Sequence, residues 1–239
     1  MTKTAAHVAI ISSIYTTMLP TGPRTHPIPD LGDRIRNATL DEVAAVNEYA
    51  LDSLTDRAWA ALGDQVRDAV GQLLAMSEHL DPTQRVSWLG NAQVPVAGWY
   101  AHLLNELNLH GSDIAAAAGK RWHIPQRDAA MSFEMFLVTM LSGDTGHLLV
   151  NEPMASSRVA IRLRSRYTTP VVFAVEDNRI VIDPPNRTVD ATLFFRPSAL
   201  MRILFRRLGK PRAALTGQIA VWGPRPWRLP VLLRAVRFP

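Results

Sequence analysis

The spacing of apolar residues changes from a helical to an alternating pattern near residue 150, and this change constrains the fold more than any other feature of the sequence. Before it, apolar residues recur every three to four positions, which places them on one face of a helix. The pattern predicts helices over residues 3–19, about 40–79, 96–118 and 127–141. Because they are separated by Pro-rich or short connections, they favour an up-and-down helical bundle over residues 1–150.

Residues 151–239 are predicted to form a small α+β domain. The stretch R-V-A-I-R-L-R alternates apolar and basic residues, as a half-buried strand does, and several β-rich segments follow it. Strands are predicted over residues 158–164, 171–175, 179–182, 191–195 and 218–222, and helices over 198–208 and about 226–236. Asp177 and Asn178 are expected to form a hairpin turn.

Two signals mark the ends of the predicted helices. Thr39 and Glu42 have the T-x-x-E spacing of a capping box, in front of the long segment that stops near Asp81. Gly119 follows the 96–118 helix directly, where a helix commonly ends.

The 96–118 helix carries the most informative polar residues of the chain. Glu106 and His110 are four residues apart, so a carboxylate and an imidazole lie on one face and can address one point, as half of a metal site. His102 continues the same row, but three ligands along a straight helix span about 12 Å, too far for one ion. At most two of the three bind one metal, and another helix must supply a further ligand. A chance pairing of these residue types remains the alternative.

Composition excludes several kinds of chemistry. The chain has no cysteine, so it forms no disulfide, offers no thiolate ligand and has no catalytic cysteine. Any thiol chemistry must therefore use a thiol from outside the protein.

Charge is distributed unevenly between the two predicted domains. Residues 1–150 carry 10 basic and 16 acidic side chains, whereas residues 151–239 carry 16 basic and 5 acidic ones. Such halves can attract each other or draw an anionic ligand between them. The arginines are scattered and no nucleic-acid-binding motif accompanies them, so we expect no nucleic-acid partner. The excess of arginine over lysine is typical of a high-GC genome, such as that of an actinobacterium.

The N-terminal segment has an apolar stretch that superficially resembles a signal peptide. Polar residues interrupt the stretch and no cleavage site follows cleanly, so we interpret it as an amphipathic helix. No window approaches the roughly 18 apolar residues of a membrane span. The expected location is cytoplasmic, with no membrane partner.

Four segments, in order and spacing, resemble the mycothiol-dependent maleylpyruvate isomerase family. E-L-N-L-H-G-S-D-I at 106–114 is similar to its E-x-x-x-H-x-x-D-hydrophobic signature, and T-A-A-H-V-A at 4–9 to its first metal-binding helix. Residues 42–47 resemble its E-V-A-x-x-N segment, and residues 190–239 its sterol-carrier-protein-like C-terminal domain. The resemblance implies a DinB-like metal-binding bundle followed by a sterol-carrier-like α+β domain.

The resemblance also implies roles for individual residues. It places the metal ligands at His7, Glu106 and His110, and it matches Asp113 to the signature acid, next to the ligands. Two imidazoles and one carboxylate leave open coordination positions, as expected for a catalytic zinc ion that activates a thiol. Arg225 and Arg228, near the C-terminal turn, are candidates for contact with an anionic substrate.

One feature departs from the family. Members usually have a full helix before the first metal histidine, whereas His7 lies six residues from the first residue of this sequence. Either the start is misassigned, or the bundle lacks its first helix and something else covers its core. We expect an apolar stripe to be partly uncovered and then covered by the C-terminal domain, a second protomer in a homodimer, or residues encoded upstream. The stripe comprises Val8, Ile11, Ile14, Tyr15 and Met18.

The leading hypothesis is a mycothiol-dependent metalloenzyme, an S-transferase or isomerase that acts on a small electrophilic or unsaturated substrate. Its partners are then a small-molecule substrate and a low-molecular-weight thiol. The chief alternative is a non-catalytic carrier of lipids or other hydrophobic ligands, and a third is an interaction module that keeps only the fold.

Overall fold

The computed structural model describes residues 1–22, 26–89, 92–142, 158–176 and 179–235. The chain divides into two units, Met1–Ile124 and Pro125–Pro239, which we call unit 1 and unit 2. Unit 1 is helical and unit 2 combines a sheet with helices, so the predicted fold class is confirmed. The predicted boundary at residue 150 lies outside the described residues and stays a prediction. The boundary between the two units lies earlier in the sequence, at residue 125, because the helix after Pro125 packs within unit 2.

Helix α1 (Thr2–Met18) lies at the centre of unit 1 and packs against α3, α4 and α5 (Val43–Asp52, Trp59–Ser77 and Val96–Ala117). Small residues recur along one side of α1 at the spacing of a helix face, and they allow close approach of neighbouring helices. These residues are Ala5, Ala9, Ser12 and Thr16, all buried.

The apolar stripe predicted on α1 is covered within this chain. Val8, Ile11, Ile14 and Tyr15 are all buried, and Met18 is half-buried. Because the stripe is already removed from water, it gives no reason to expect a second protomer there.

The single helix predicted over about 40–79 is two helices, α3 and α4. The predicted capping box is present at the start, where the Glu42 carboxylate accepts hydrogen bonds from the N–H and hydroxyl of Thr39 at 2.7 and 2.9 Å. The break lies at residues 53–58. The Arg57 guanidinium donates to the carbonyl of Leu51 at 2.6 Å, and the Asp56 carboxylate accepts the N–H of Ala58 at 2.9 Å. Local side-chain bonds thus replace helical ones.

Two further elements of unit 1 lie in segments that were expected to be connections. Helix α2 (Leu31–Asn37) lies in the connection between α1 and α3. The short antiparallel strands β1 (Arg85–Ser87) and β2 (Gln93–Pro95) lie in the connection between α4 and α5. Helix α5 matches its prediction closely. It ends in a Schellman motif, in which Lys120 N–H donates to the Ala115 carbonyl at 2.8 Å and Gly119 has a φ of 67°.

Unit 2 contains a five-stranded sheet in the order β5-β4-β3-β6-β7. The strands span Val159–Arg164 (β3), Val171–Glu176 (β4), Arg179–Asp183 (β5), Ala191–Phe195 (β6) and Ile219–Trp222 (β7), close to the predicted bounds. All neighbours are antiparallel except β3 and β6, which run parallel at the centre. The predicted turn at Asp177 and Asn178 lies outside the described residues.

In the described part of unit 2, the helices are α6 (Gln126–Met131), α7 (Val138–Ser142), α8 (Pro197–Leu204), α9 (Lys210–Leu215) and α10 (Leu229–Ala235). A π-helical segment, Ser132–Leu137, joins α6 to α7 and buries Phe133 completely against Phe195, with ring centroids 5.0 Å apart. The helix predicted over 198–208 ends earlier because Arg206 adopts a left-handed φ of 60°. Helix α9 was not predicted. No helix in the described ranges is long and apolar enough to cross a membrane.

Candidate metal centre

Helices α1 and α5 bring together the three residues implied as metal ligands. The ligand atoms of His7, Glu106 and His110 all lie within 4.8 Å of one another. Glu106 Oε2 is 3.6 Å from Nε2 of His7 and 3.2 Å from Nε2 of His110. Within the described residues, this is the one group of three histidine or acidic side chains with such geometry. Two helices far apart in sequence therefore converge on one point.

Both donor separations from Glu106 Oε2 fit a single divalent ion. Two ligands at about 2.05 Å from a tetrahedral zinc ion lie about 3.3 Å apart. The separations of 3.6 and 3.2 Å from Glu106 Oε2 bracket this value, and the third separation, between the two histidine nitrogens, is at most 4.8 Å. The three side chains are mostly shielded from solvent, with exposed fractions of 17%, 9% and 20% for His7, Glu106 and His110. The donor set is two nitrogens and one oxygen, as in zinc sites that leave a position open for a substrate.

The electrostatics of the site keep Glu106 charged. Burial by itself would raise the pKa of this carboxyl, but hydrogen bonds from His110 and His7 and the nearby imidazole of His102 hold its pKa well below the ordinary value. A buried carboxylate is stable only when it is paired in this way. Glu106 is therefore an ionised carboxylate beside three imidazoles.

His102 lies beside the three candidate ligands and contacts a different oxygen. Its Nε2 faces Oε1 of Glu106 at 3.7 Å, and its Nδ1 is hydrogen-bonded to the hydroxyl of Tyr15. Burial lowers the pKa of His102, against the attraction of Glu106, and burial likewise raises the pKa of Tyr15. We assign Tyr15 as the donor, which leaves the proton of a neutral His102 on Nε2, facing Glu106.

Aromatic rings surround Tyr15 and His102. Trp88 and Trp99 meet edge to face at 4.6 Å between centroids, and each also contacts the ring of Tyr15. The sequence predicted Tyr15 only as a member of the apolar stripe, without its hydroxyl contact. The available signal was its position on α1, eight residues or about two turns after His7, which puts the two on nearly one face.

Asp113, the predicted neighbour of the ligands, lies next to His110. Its Oδ2 is 3.4 Å from Nδ1 of His110, the ring nitrogen opposite the one that faces Glu106. A carboxylate in this position fixes the tautomer and the orientation of a metal-ligating histidine. The ring of Trp122 covers the same turn, because a Cβ at Gly111 would lie 2.9 Å from its Cζ2 atom.

Arg225 and Arg228 are held by contacts inside unit 2. Arg225 Nε is 2.6 Å from Oδ1 of the buried Asp190, and Arg228 donates a hydrogen bond to the Arg158 carbonyl at 2.9 Å. Both contacts anchor the C-terminal turn to the sheet. A role of these arginines toward a substrate stays a prediction.

Comparison with known proteins identifies the domain that carries the three candidate ligands. Residues 3–115 match the family model described as the mycothiol maleylpyruvate isomerase N-terminal domain. Among curated proteins, no sequence matches this chain significantly.

Solved structures show weaker likenesses. Apo sterol carrier protein 2 from Yarrowia lipolytica is 15% identical over 29% of this chain and 64% of its own, with a TM-score of 0.23. A double mutant of the sec-alkyl sulfatase PisA1 is 13% identical over 75% of this chain and 29% of its own, with a TM-score of 0.37. The inverting sec-alkylsulfatase Pisa1 from Pseudomonas sp. is 13% identical over 82% of this chain and 37% of its own, with a TM-score of 0.34. This chain thus spans less than two thirds of each of these proteins, and such low TM-scores carry no assignment.

Proposed function

Because residues 3–115 belong to the mycothiol maleylpyruvate isomerase N-terminal domain family, we propose that this chain is a metal-dependent enzyme that uses mycothiol. The reaction is a thiol transfer to a small electrophile, or an isomerisation of a small unsaturated acid. The observation that carries the proposal is the convergence of His7, Glu106 and His110 within 4.8 Å. The absence of cysteine agrees with a thiol that comes from outside the chain.

His7, Glu106 and His110 would hold the metal, and zinc fits the donor set best. When bound, the metal supplies a Lewis acid that lowers the pKa of a thiol in its open position, so that thiolate is present at neutral pH. The single negative charge of Glu106 leaves the metal centre with a net positive charge. This charge favours an anionic thiolate and an anionic substrate.

The surrounding residues orient the ligands. Asp113 accepts the Nδ1–H of His110, which turns the lone pair of Nε2 toward the metal position. The N–H of His102 faces Oε1 of Glu106, which leaves Oε2 directed between His7 and His110. Asp113 and His102 are therefore positioning residues in this proposal. We also propose a cytoplasmic location, because a reducing compartment keeps a low-molecular-weight thiol in its active form.

A metal and thiol panel tests the proposal. The protein is purified without chelator, its metal content is measured, and it is incubated with mycothiol, bacillithiol or glutathione and an electrophile such as 1-chloro-2,4-dinitrobenzene. A second set replaces the electrophile with maleylpyruvate. Products are identified by mass spectrometry. We expect about one equivalent of zinc and turnover with mycothiol that is lost in Glu106→Gln.

The matched control is Glu78→Gln, the same substitution at an exposed glutamate just after α4. It should leave metal content and turnover unchanged. Metal-free protein that co-purifies with lipid would contradict the proposal and favour the carrier. Metal-loaded protein with no thiol-dependent product in either set would contradict the mycothiol reaction while keeping the metal site.

A further inference from the structure

The parallel pair at the centre of the sheet in unit 2 brings two arginines to one edge. Strands β3 and β6 pair in register with Arg164 opposite Phe194. Arg166 and Arg196 each follow this pair by two residues, so they leave neighbouring strands at equivalent positions. Adjacent strands lie about 4.8 Å apart, so the two residues follow the carboxyl ends of β3 and β6 at neighbouring positions. This edge of a parallel pair is a recurrent place for ligands.

A cavity of about 320 Å³ lies at this edge. Its lining includes Arg166 and Arg196, together with Tyr167, Phe194 and Phe195. The volume lies at the lower end of the range of small-molecule sites and suits a compound of one ring with a short substituent. All of its lining residues belong to unit 2.

The charged residues that line the cavity are both basic. No acidic residue lines it. Among the ion pairs and hydrogen bonds formed by residues of the described ranges, none involves the guanidinium of Arg166 or Arg196. Two like charges at one edge repel each other, and an anion between them removes this repulsion. A carboxylate also matches the planar fork of each guanidinium.

The apolar part of the cavity is rigid on one side and open on the other. Phe195 is completely buried and packs on Phe133, so it forms a fixed floor. The Tyr167 ring is 48% exposed, and its backbone N–H is held by the Ser165 hydroxyl at 3.3 Å. An exposed aromatic ring beside a fixed one provides faces against which a planar ligand stacks.

The part of the cavity lining formed by Gln126 is also fixed by hydrogen bonds. The side chain of Gln126, at the start of α6, donates to the Ser198 hydroxyl at 2.6 Å and accepts the Ser198 N–H at 3.2 Å. These bonds tie α6 to the first turn of α8. When the residues that line a cavity are already ordered, little conformational entropy is lost on ligand binding.

We propose that this cavity binds a small aromatic carboxylate, with its carboxylate between Arg166 and Arg196 and its ring against Phe194 and Tyr167. The site uses no residue of the metal centre. It is therefore a second small-molecule site, made of residues other than those of the metal centre.

Ligand-observed fluorine NMR with 4-fluorobenzoate on the full chain tests this site. We expect saturable binding with a dissociation constant below about 1 mM, and a loss of about tenfold or more in Arg166→Gln and in Arg196→Gln, the scale of a charge-assisted hydrogen bond. Arg212→Gln, which removes an exposed arginine of α9 outside the cavity, is the matched control and should bind like wild type. Thermal unfolding of each variant verifies that the fold is retained.

Three further measurements distinguish the ligand classes and the two sites. Inorganic phosphate should compete only weakly because it lacks a ring, and decanoate should compete weakly because its flexible chain has no planar face to stack against the aromatic rings and loses more conformational freedom on binding. Glu106→Gln should bind 4-fluorobenzoate like wild type, so failure of the metal proposal leaves this result intact. Equal binding by the wild type and both arginine variants would overturn the proposal. Phosphate or decanoate binding as tight as that of 4-fluorobenzoate would overturn the assigned ligand class.

Discussion

Replacing Glu106 by glutamine should remove most of the stabilisation that a bound metal gives to unit 1. The substitution keeps the size of the side chain but removes the charge that faces both histidine nitrogens, 3.2 and 3.6 Å away. A ligand at one hundred times its dissociation constant stabilises the folded state by about 2.7 kcal/mol. For a unit of this size, 1 kcal/mol shifts the melting temperature by about 4 °C. We therefore expect EDTA to lower the wild-type melting temperature of this unit by about 10 °C.

The assay is differential scanning calorimetry of the full chain with zinc and then with EDTA. In Glu106→Gln, EDTA should lower the melting temperature by less than about 3 °C, because the remaining pair of imidazoles binds the ion weakly. Comparing the two conditions within each variant cancels any effect of the substitution on the metal-free protein. Glu78→Gln should behave like wild type. If Glu106→Gln and wild type show the same EDTA-dependent shift, the carboxylate is not a ligand and the site must be sought elsewhere.

Three other predictions concern different parts of the chain. His7→Ala and His110→Ala should reduce the EDTA-dependent shift of the melting temperature by comparable amounts, with unchanged circular dichroism. If His7→Ala keeps the wild-type shift, α1 contributes no ligand to the site. Burial holds the pKa of His26 below its ordinary value of 6.5, so the unfolded chain takes up the proton first as the pH falls. The free energy of unfolding of the metal-free protein should therefore decrease below pH 6.5, and it should decrease less steeply in His26→Gln. If the urea midpoint changes equally between pH 7 and pH 5 in wild type and in His26→Gln, this prediction is contradicted. Phe133→Ala should lower the unfolding free energy of unit 2 by about 3–5 kcal/mol, because this ring is completely buried. A urea midpoint within error of wild type would refute that packing.

Local patterns in the sequence were sufficient to predict the two helices that carry the candidate metal ligands. The spacing of apolar residues predicted α1 and α5 within one or two residues, because both helices are long and have clear ends. The four-residue spacing of Glu106 and His110 indicated half of a site. The third member, His7, came only from the resemblance to a family, since periodicity does not reveal which helices touch.

Contacts between distant segments were not predictable in the same way. The hydrogen bond between Tyr15 and His102 depends on the rotation of α1 against α5, which the pattern of either helix leaves open. The presence of Arg166 and Arg196 in the lining of one cavity depends on the parallel register of β3 and β6, and strand patterns do not specify the neighbouring strand or its direction. The break at residues 53–58 was missed because a charged side chain, Arg57, satisfies backbone carbonyls that a continuous helix would have used.

The distribution of the three candidate ligands along the chain has a consequence for the order in which the site assembles. Glu106 and His110 are one helical turn apart and meet whenever α5 forms, whereas His7 is separated from them by most of unit 1. Closing a loop of about one hundred residues in an unfolded chain costs about 4.7 kcal/mol. A metal ion encountered early would therefore rest on the helical pair alone, and His7 would complete its coordination only when α1 docks. Tight retention of the ion thus reports that the first and last helices of the bundle have come together.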